Sequence, residues 1–373
     1  MSYIPEKEEG LQVGIDARVL DGNMTGVGRY VSEICKCLDR LMPIATFVLF
    51  SNRPIKWEAP SARWIKKVDS RWSTVSSLVW LKFFSAKFIE KTPIDVFWGG
   101  AHFLPGIKVP CVLTVHDFVH IYAPETMPLK FLWGHKLFMS HDIKKAKSVI
   151  CVSEGTLSRL KQAVGYLPSC EIASPAVSNL FQRVTQQEIQ ALKLKYSLGD
   201  KFLLMVATAE PRKNIEKTVK VFNELKQSGK MKDITLILVG SAGWKNKKIK
   251  ERIDASEGVY AVGYVPDKEL PAFYSAADSF LFFSSYEGFG MPVREALSCQ
   301  TSVLAADIPE IREAGGQYAS YFKPNEEGIK NALYMYMEKN INNIEIRPCY
   351  PSWKNTARVY ATHFERAALM VNI

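Results

Sequence analysis

The sequence runs to 373 residues, the length of two ordinary domains. Hydrophobic residues make up 47% and charged residues 23%, a balance that excludes a disordered or fibrous chain. Lys and Arg (48) outnumber Asp and Glu (38), and the net charge of +10 suits phosphates or an anionic membrane face without calling for nucleic acid.

Residues 1–9 have no apolar signal core, and no stretch reaches the ~18 apolar residues that span a bilayer. A soluble or peripherally attached protein is expected. Seven scattered cysteines (Cys35, Cys37, Cys111, Cys151, Cys170, Cys299, Cys349) form no Cys-x-x-Cys pair and no zinc spacing, so they read as reduced thiols of a cytosol.

Apolar β-like runs alternate with amphipathic helical runs. In the first half the strands fall near 12–15, 46–50, 96–98, 112–115 and 149–152. In the second they fall near 202–207, 235–239, 259–262, 279–283 and 302–305. Near-continuous apolar strands between helices predict parallel sheets covered on both faces, and two such sets predict two doubly wound α/β domains. Ligands then bind at the carboxyl ends of the strands.

The first strand leads into Asp16-Ala-Arg18 and then Thr25-Gly26-Val27-Gly28-Arg29-Tyr30. This glycine loop falls short of a dinucleotide fingerprint and reads as a backbone platform near a phosphate or an acceptor. Residues 53–91 hold nine Lys/Arg against three Asp/Glu, with Trp72, Val75, Val79 and Phe83 at helical spacing. Two readings stand for this stretch, a core helix with a solvated basic face or a helix lying on an anionic cytoplasmic leaflet. Strand 112–115 ends at His116-Asp117, a pair able to orient substrate or shuttle a proton, although a lone His is also commonly structural. The domain boundary falls near 175–182. It divides the chain into domains 1–178 and 179–352, with an amphipathic helix at 353–373 crossing back to the first.

Strand 202–207 runs into Thr208-Ala-Glu210-Pro-Arg212-Lys213-Asn214. A planar fork and a point charge at a strand end suit a diphosphate. Fixed cations there stabilise the charge that develops on a leaving nucleoside diphosphate. The basic run 245–252 reads as a solvated helix face. The densest signal follows strand 279–283, where Ser285-Tyr-Glu287-Gly288-Phe289-Gly290-Met291-Pro292 precedes Glu295. A glycine turn feeding a helix that opens at Pro292 presents N–H groups to phosphate or sugar hydroxyls. Glu287 and Glu295 are hydrogen-bond acceptors for sugar and ribose hydroxyls. No Asp-x-Asp occurs, so charge neutralisation falls to Arg212, Lys213 and the helix end, without a metal.

Together these residues resemble the retaining nucleotide-sugar glycosyltransferases of the GT-B fold, the glycosyltransferase group 1 family. Glu287…Glu295 is similar to its E-x7-E motif, and Glu210-Pro-Arg-Lys-Asn214 to its diphosphate-binding segment. From Thr208 to Pro324 the resemblance is nearly continuous. In the first half it is sparser, at Asp16-Ala-Arg18, 26–30, His116-Asp117 and Val152-Ser153. It implies two Rossmann-like domains facing a cleft, the first for the acceptor and the second for the donor. It also implies roles for residues: Arg212 and Lys213 on the donor diphosphate, Glu295 on the ribose, and main chain near Val265 on the base. Thr208 would sit beside the donor. Glu287 would hold sugar hydroxyls together with the turn of Gly288, Phe289, Gly290, Met291 and Pro292. His116 would contact the donor sugar near the reacting carbon, with Asp117 beside it, and Gly26, Val27 and Gly28 would approach phosphates or acceptor. Retention in this family looks like front-face attack without an enzyme nucleophile, and Glu287 is the group to suspect if one exists.

Val96-Phe-Trp-Gly-Gly-Ala-His102-Phe-Leu-Pro105 resembles segments of bacterial O-antigen and exopolysaccharide mannosyltransferases. The resemblance favours GDP-mannose over a UDP-sugar donor, no cofactor and a glycan or lipid-linked glycan acceptor. It places the protein in the cytoplasm on the inner face of the plasma membrane, touching it through 53–91. Two departures stand out. Ala207 and Thr208 occupy the place where many relatives carry arginine, and Ala176-Val-Ser178 replaces the usual Asn-Gly-Val. A non-catalytic nucleotide-sugar-binding protein and a two-domain sugar-nucleotide epimerase remain alternatives.

Overall fold

The computed structural model describes residues 10–22, 25–165, 169–338 and 350–369. Its contacts divide the chain into two compact units, one from residues 1–118, 133–176 and 351–373, the other from 119–132 and 177–350.

The first unit holds seven parallel strands: β1 (Gln12–Asp16), β2 (Thr46–Ser51), β3 (Trp64–Val68), β4 (Val96–Gly99), β5 (Cys111–Val115), β6 (Ser148–Cys151) and β7 (Ser169–Ile172). Their order is β3-β2-β1-β4-β5-β6-β7. The chain starts in the middle, winds out to one edge and returns to wind the other way, so the order reverses between β1 and β4. β4, β5 and β6 are buried along their whole length, as strands covered on both faces should be. In β1, Gly14 lets neighbours close in: a Cβ there would come within 2.6 Å of Ile94 and 3.0 Å of Phe97.

The second unit holds β8 (Phe202–Val206), β9 (Thr235–Val239), β10 (Val259–Gly263), β11 (Ser279–Phe282), β12 (Val303–Ala306) and β13 (Ala319–Phe322). The order is β10-β9-β8-β11-β12-β13, again parallel, with the reversal between β8 and β11. Both units are therefore Rossmann-like, as the apolar runs predict.

The sequence reading omits β3, β7 and β13, and all three are sheet edges. β3 reads Trp-Ile-Lys-Lys-Val and buries only its tryptophan, while β7 and β13 are partly exposed throughout. An edge strand has one neighbour and needs no continuous apolar run.

The Trp353–Leu369 helix belongs to the first unit and lies against the Gly26–Leu41 helix. Residues 370–373 of the expected helix lie outside the described residues. Burial of Trp353, Tyr360 and Phe364 holds it in place. The Tyr360 hydroxyl meets the Tyr30 hydroxyl and the Thr114 Oγ1, each at 2.9 Å, and Tyr30 donates to the Ala173 carbonyl at 2.6 Å. Burial raises both phenol pKa values well above the ordinary one, so both stay protonated.

Residues 53–91 depart from expectation. The single helix gives way to a 3-10 turn (Ser70–Trp72), a short α turn (Ser77–Val79), a π turn (Trp80–Phe84) and a further α turn (Ala86–Ile89). Polar side chains capture the backbone here. Asn52 Nδ2 donates to the Trp72 and Val75 carbonyls, Ser76 accepts from the Val79 N–H, and Ser85 donates to the Leu81 carbonyl. The expected stripe is split: Val79 and Phe83 are exposed, Trp72 stacks on Phe84 at 3.9 Å, and Trp80 and Leu81 fill the core instead. Among the described residues no helix is long and apolar enough to cross a membrane.

The Tyr360→Phe substitution leaves the ring packing and removes one buried hydroxyl from the trio. It should cost about 1–3 kcal/mol, read as a lower urea midpoint for the first unit at unchanged slope. An unchanged midpoint would show that the trio contributes only packing.

Candidate functional site

In the second unit the signals converge where the strand order reverses. The loop after β8 makes a 3-10 turn at Pro211–Lys213 and then turns at Asn214, whose φ of +51° lies in the left-handed region that asparagine tolerates. From there Asn214 Nδ2 donates to the Phe283 carbonyl at 2.8 Å and the Pro324 carbonyl at 3.1 Å. One side chain thus ties together the loops after β8, β11 and β13. The Ser285 N–H and hydroxyl both donate to the Arg212 carbonyl, at 2.8 and 3.2 Å.

This scaffold holds four charges in a buried cluster. The Arg212 guanidinium reaches Glu210 Oε1 at 2.7 Å, Glu287 Oε2 at 2.8 Å and the Tyr286 carbonyl at 3.0 Å. Lys213 Nζ pairs with Glu287 Oε1 and lies 5.4 Å from the centre of the Phe282 ring. Glu287 is only 7% exposed. Burial alone would raise its carboxyl pKa, but the Arg212 and Lys213 charges outweigh it and hold it at about 2. Burial and the Arg212 charge lower the Lys213 pKa, against the pull of Glu287 and Glu210.

The turn of Gly288, Phe289 and Gly290 leads into the Met291–Ser298 helix. Gly290 has φ of +109°, which no other residue adopts without strain. The helix opens at Met291, one residue earlier than expected, so Pro292 is its second residue; it still falls in the first turn, where an N–H has no helical partner to lose. Arg294 stacks over Phe289 at 4.3 Å. Glu295 is buried and accepts from the Tyr274 hydroxyl at 3.0 Å. Thr208 is half-buried and Val265 buried, in the loops after β8 and β10.

Three contributors lie outside the residues singled out by sequence. Glu210 and Asn214 were legible as parts of the motif but carried no role. The turn 240–243 after β9 gave no charged signal. Its Gly240 (φ +141°) runs so close to β8 that a Cβ would strike the Ala207 carbonyl at 2.1 Å.

In the first unit, His116 follows β5 and is buried. Its Nε2–H donates to the Gly100 carbonyl at 2.8 Å, so in the neutral ring Nδ1 is the acceptor nitrogen. Burial lowers its pKa, opposed by the Gly100 carbonyl and Asp117, which favours that neutral form. The Tyr30 ring meets His116 edge-on at 5.3 Å, and His102 lies 5.2 Å away with a left-handed φ of +67°. Gly26, Val27 and Gly28 differ from the expected loop: they form the first turn of the Gly26–Leu41 helix, capped by Thr25, which accepts from the Gly28 N–H. Arg18 grips the buried Asp16 with two bonds of 2.8 and 2.7 Å. The basic run also shifts: the helix spans Lys247–Asp254, and Lys245 ahead of it donates to the Glu125 carbonyl. Among the described residues no three His, Cys, Asp or Glu side chains are grouped to hold a metal.

The Glu287→Gln substitution leaves two desolvated cations short of a partner and should cost roughly 3–5 kcal/mol at neutral pH. Because the native carboxyl titrates at about 2, below its ordinary 4.5, its contribution is complete above pH 4.5 and lost as pH falls through 2. Urea unfolding of both proteins should therefore show a stability gap that narrows across that acid window, and a constant gap would refute the pairing.

Residues 186–343 match the family described as Glycosyl transferases group 1. The O-antigen chain mannosyltransferase B of Escherichia coli is 27% identical over 331 residues, covering 81% of this chain and 84% of that protein. The serotype-specific mannosyltransferase WbdA of Escherichia coli is 27% identical over 247 residues, 60% of this chain but only 29% of that protein. Among solved structures, WaaG, a glycosyltransferase involved in lipopolysaccharide biosynthesis, superposes with a TM-score of 0.69 at 15% identity, covering 96% of this chain and 98% of that one. Residues 186–343 are thus a glycosyl transferases group 1 domain, and the chain is a glycosyltransferase of the GT-B fold.

Proposed function

We propose that the enzyme is a retaining, metal-independent transferase that moves mannose from GDP-mannose to a lipid-linked glycan at the cytoplasmic membrane face, building a bacterial surface polysaccharide. The observation that carries this reading is the pairing of Arg212 and Lys213 on the buried Glu287, in the loops flanking the strand-order reversal of the second unit. The mannosyltransferases among its relatives support the choice of sugar.

In this reading the second unit takes the donor. Its diphosphate engages the Arg212 fork and the Lys213 ammonium, and the Glu287 carboxylate turns toward sugar hydroxyls. Glu295, held by Tyr274, accepts from the ribose, and the backbone at Val265 meets the base. The Gly288–Gly290 turn and the first turn at Met291 and Pro292 face the sugar and phosphates. The acceptor oxygen bonds to the anomeric carbon as the bond from that carbon to the phosphate oxygen breaks. The electron pair departs on the nucleoside diphosphate, which also receives the acceptor proton. Arg212 and Lys213 stabilise that departing charge, so they act on kcat. Neutral His116, with Nδ1 as acceptor, orients a sugar hydroxyl. Asp117 stands beside it, and Gly26, Val27 and Gly28 present a helix N-terminus on the acceptor side.

Arg212→Ala and Lys213→Ala should each lower kcat by ~10²–10³, as loss of a transition-state contact does. Arg212→Lys keeps the charge, loses the fork and should be only partly active. Steady-state transfer from GDP-mannose, measured with and without EDTA, tests both the cations and the absence of a metal. Wild-type kcat in either alanine variant, or abolition of wild-type activity by EDTA, would overturn the reading. GDP-mannose should raise Tm more than UDP- or ADP-sugars in a thermal-shift screen.

A further inference from the structure

The stretch expected to meet a membrane is broken, but a neighbouring helix carries a clearer surface. On the part of the Leu129–Lys145 helix that belongs to the first unit, Trp133 and Leu137 stand one turn apart and are each 68% exposed. The turns from Ser77 to Phe84 lie against this helix. A Cβ at Gly134 would come within 2.7 Å of Leu78, and the Phe83 ring meets Phe138 edge-on at 5.9 Å. Phe83, itself 64% exposed, thus adds to the apolar ridge beside Leu137.

Charge decides what covers this ridge. In the first unit the helix exposes Lys136, Lys144 and Lys145, while its one carboxylate, Asp142, is buried against Lys82. On the adjoining turns Arg71 and Lys87 are exposed, and Asp69 is buried and bound by Arg71. A second copy docked on the same face would set lysines against lysines. A tryptophan, a leucine and a phenylalanine flanked by cations instead fit the boundary between anionic headgroups and acyl chains.

We propose that the first unit's share of this helix, from Trp133 to Lys145, with Phe83, docks the protein on an anionic lipid bilayer. This deepens the lipid-linked acceptor reading and rests on it only for its purpose, since docking needs neither donor nor acceptor. The test is flotation of the full chain with vesicles of phosphatidylglycerol and phosphatidylethanolamine, and with phosphatidylcholine alone, without substrates. The protein should float with the anionic vesicles, be released by salt and float poorly with the neutral ones. The double variant Trp133→Ser/Leu137→Ser should lose at least ~tenfold in partitioning while keeping the wild-type Tm. Lys136→Gln and Lys144→Gln should each lose about fivefold on anionic vesicles.

Flotation of the double variant equal to wild type would overturn the proposal. So would a wild-type dimer that the double variant dissolves, with no vesicle binding, because the ridge would then be a self-contact. Transfer to a detergent-solubilised acceptor is read separately. Its loss with flotation intact would count against the acceptor reading alone.

Discussion

Arg212, Lys213, Glu210 and Glu287 can share a buried site only because each charge is paired with an opposite one. Any of the four alone would cost several kcal/mol to bury. The requirement reaches back into the fold. Glu210, Arg212 and Lys213 share the loop after β8, but Glu287, in the loop after β11, reaches them only if β8 and β11 are neighbours, and they are neighbours because the second sheet reverses its order there. Asn214 and Ser285 then fix the loops, so that side chains from residues more than 70 positions apart meet within hydrogen-bond distance. Breaking that backbone register would part Glu287 from Arg212 and Lys213 and leave a buried carboxylate without its cations.

The first unit solves a different problem with the same topology. Its reversal lies between β1 and β4, where Arg18 pairs with the buried Asp16 at the end of β1 and the end of β5 carries a neutral group. His116, deprived of charge by burial and directed by the Gly100 carbonyl, packs against Tyr30 and the left-handed His102. The phenol of Tyr30 is spent on Ala173 and Tyr360, so it holds the imidazole in place through its ring, whereas the second unit gathers charge.

Much of this was legible in the residues. Central parallel strands are apolar almost without interruption, so all nine of them stand out, together with the edge strand β10, and the polar residues that end them mark the carboxyl edge. β3, β7 and β13 left no such trace because a strand with one neighbour tolerates lysine and glutamate. Residues 70–89 misled because Trp72, Val75, Val79 and Phe83 fit a helical period that the serines and Asn52 override with local hydrogen bonds. The exposed pair of Trp133 and Leu137 was hidden for a related reason: spacing announces a helix face, but only packing shows which face is left exposed. The charge cluster was half readable. Glu287, Arg212 and Lys213 were visible as site residues, yet their pairing depends on a sheet order that no local pattern encodes. In the first unit, Thr25 and the small residues after it were read as a loop, although an N-cap followed by glycines starts a helix just as well.

The trio of Tyr30, Thr114 and Tyr360 joins partners up to 330 residues apart. During synthesis the N-terminal sheet leaves the ribosome long before the helix that completes it. Until Tyr360 emerges, the Gly26–Leu41 helix has a bare apolar flank, and the Tyr30 hydroxyl lacks the helix that closes over it. Assembly of the first unit is therefore tied to translation of the Trp353–Leu369 helix, a non-local dependence that slows folding and gives chaperones a window in which to bind.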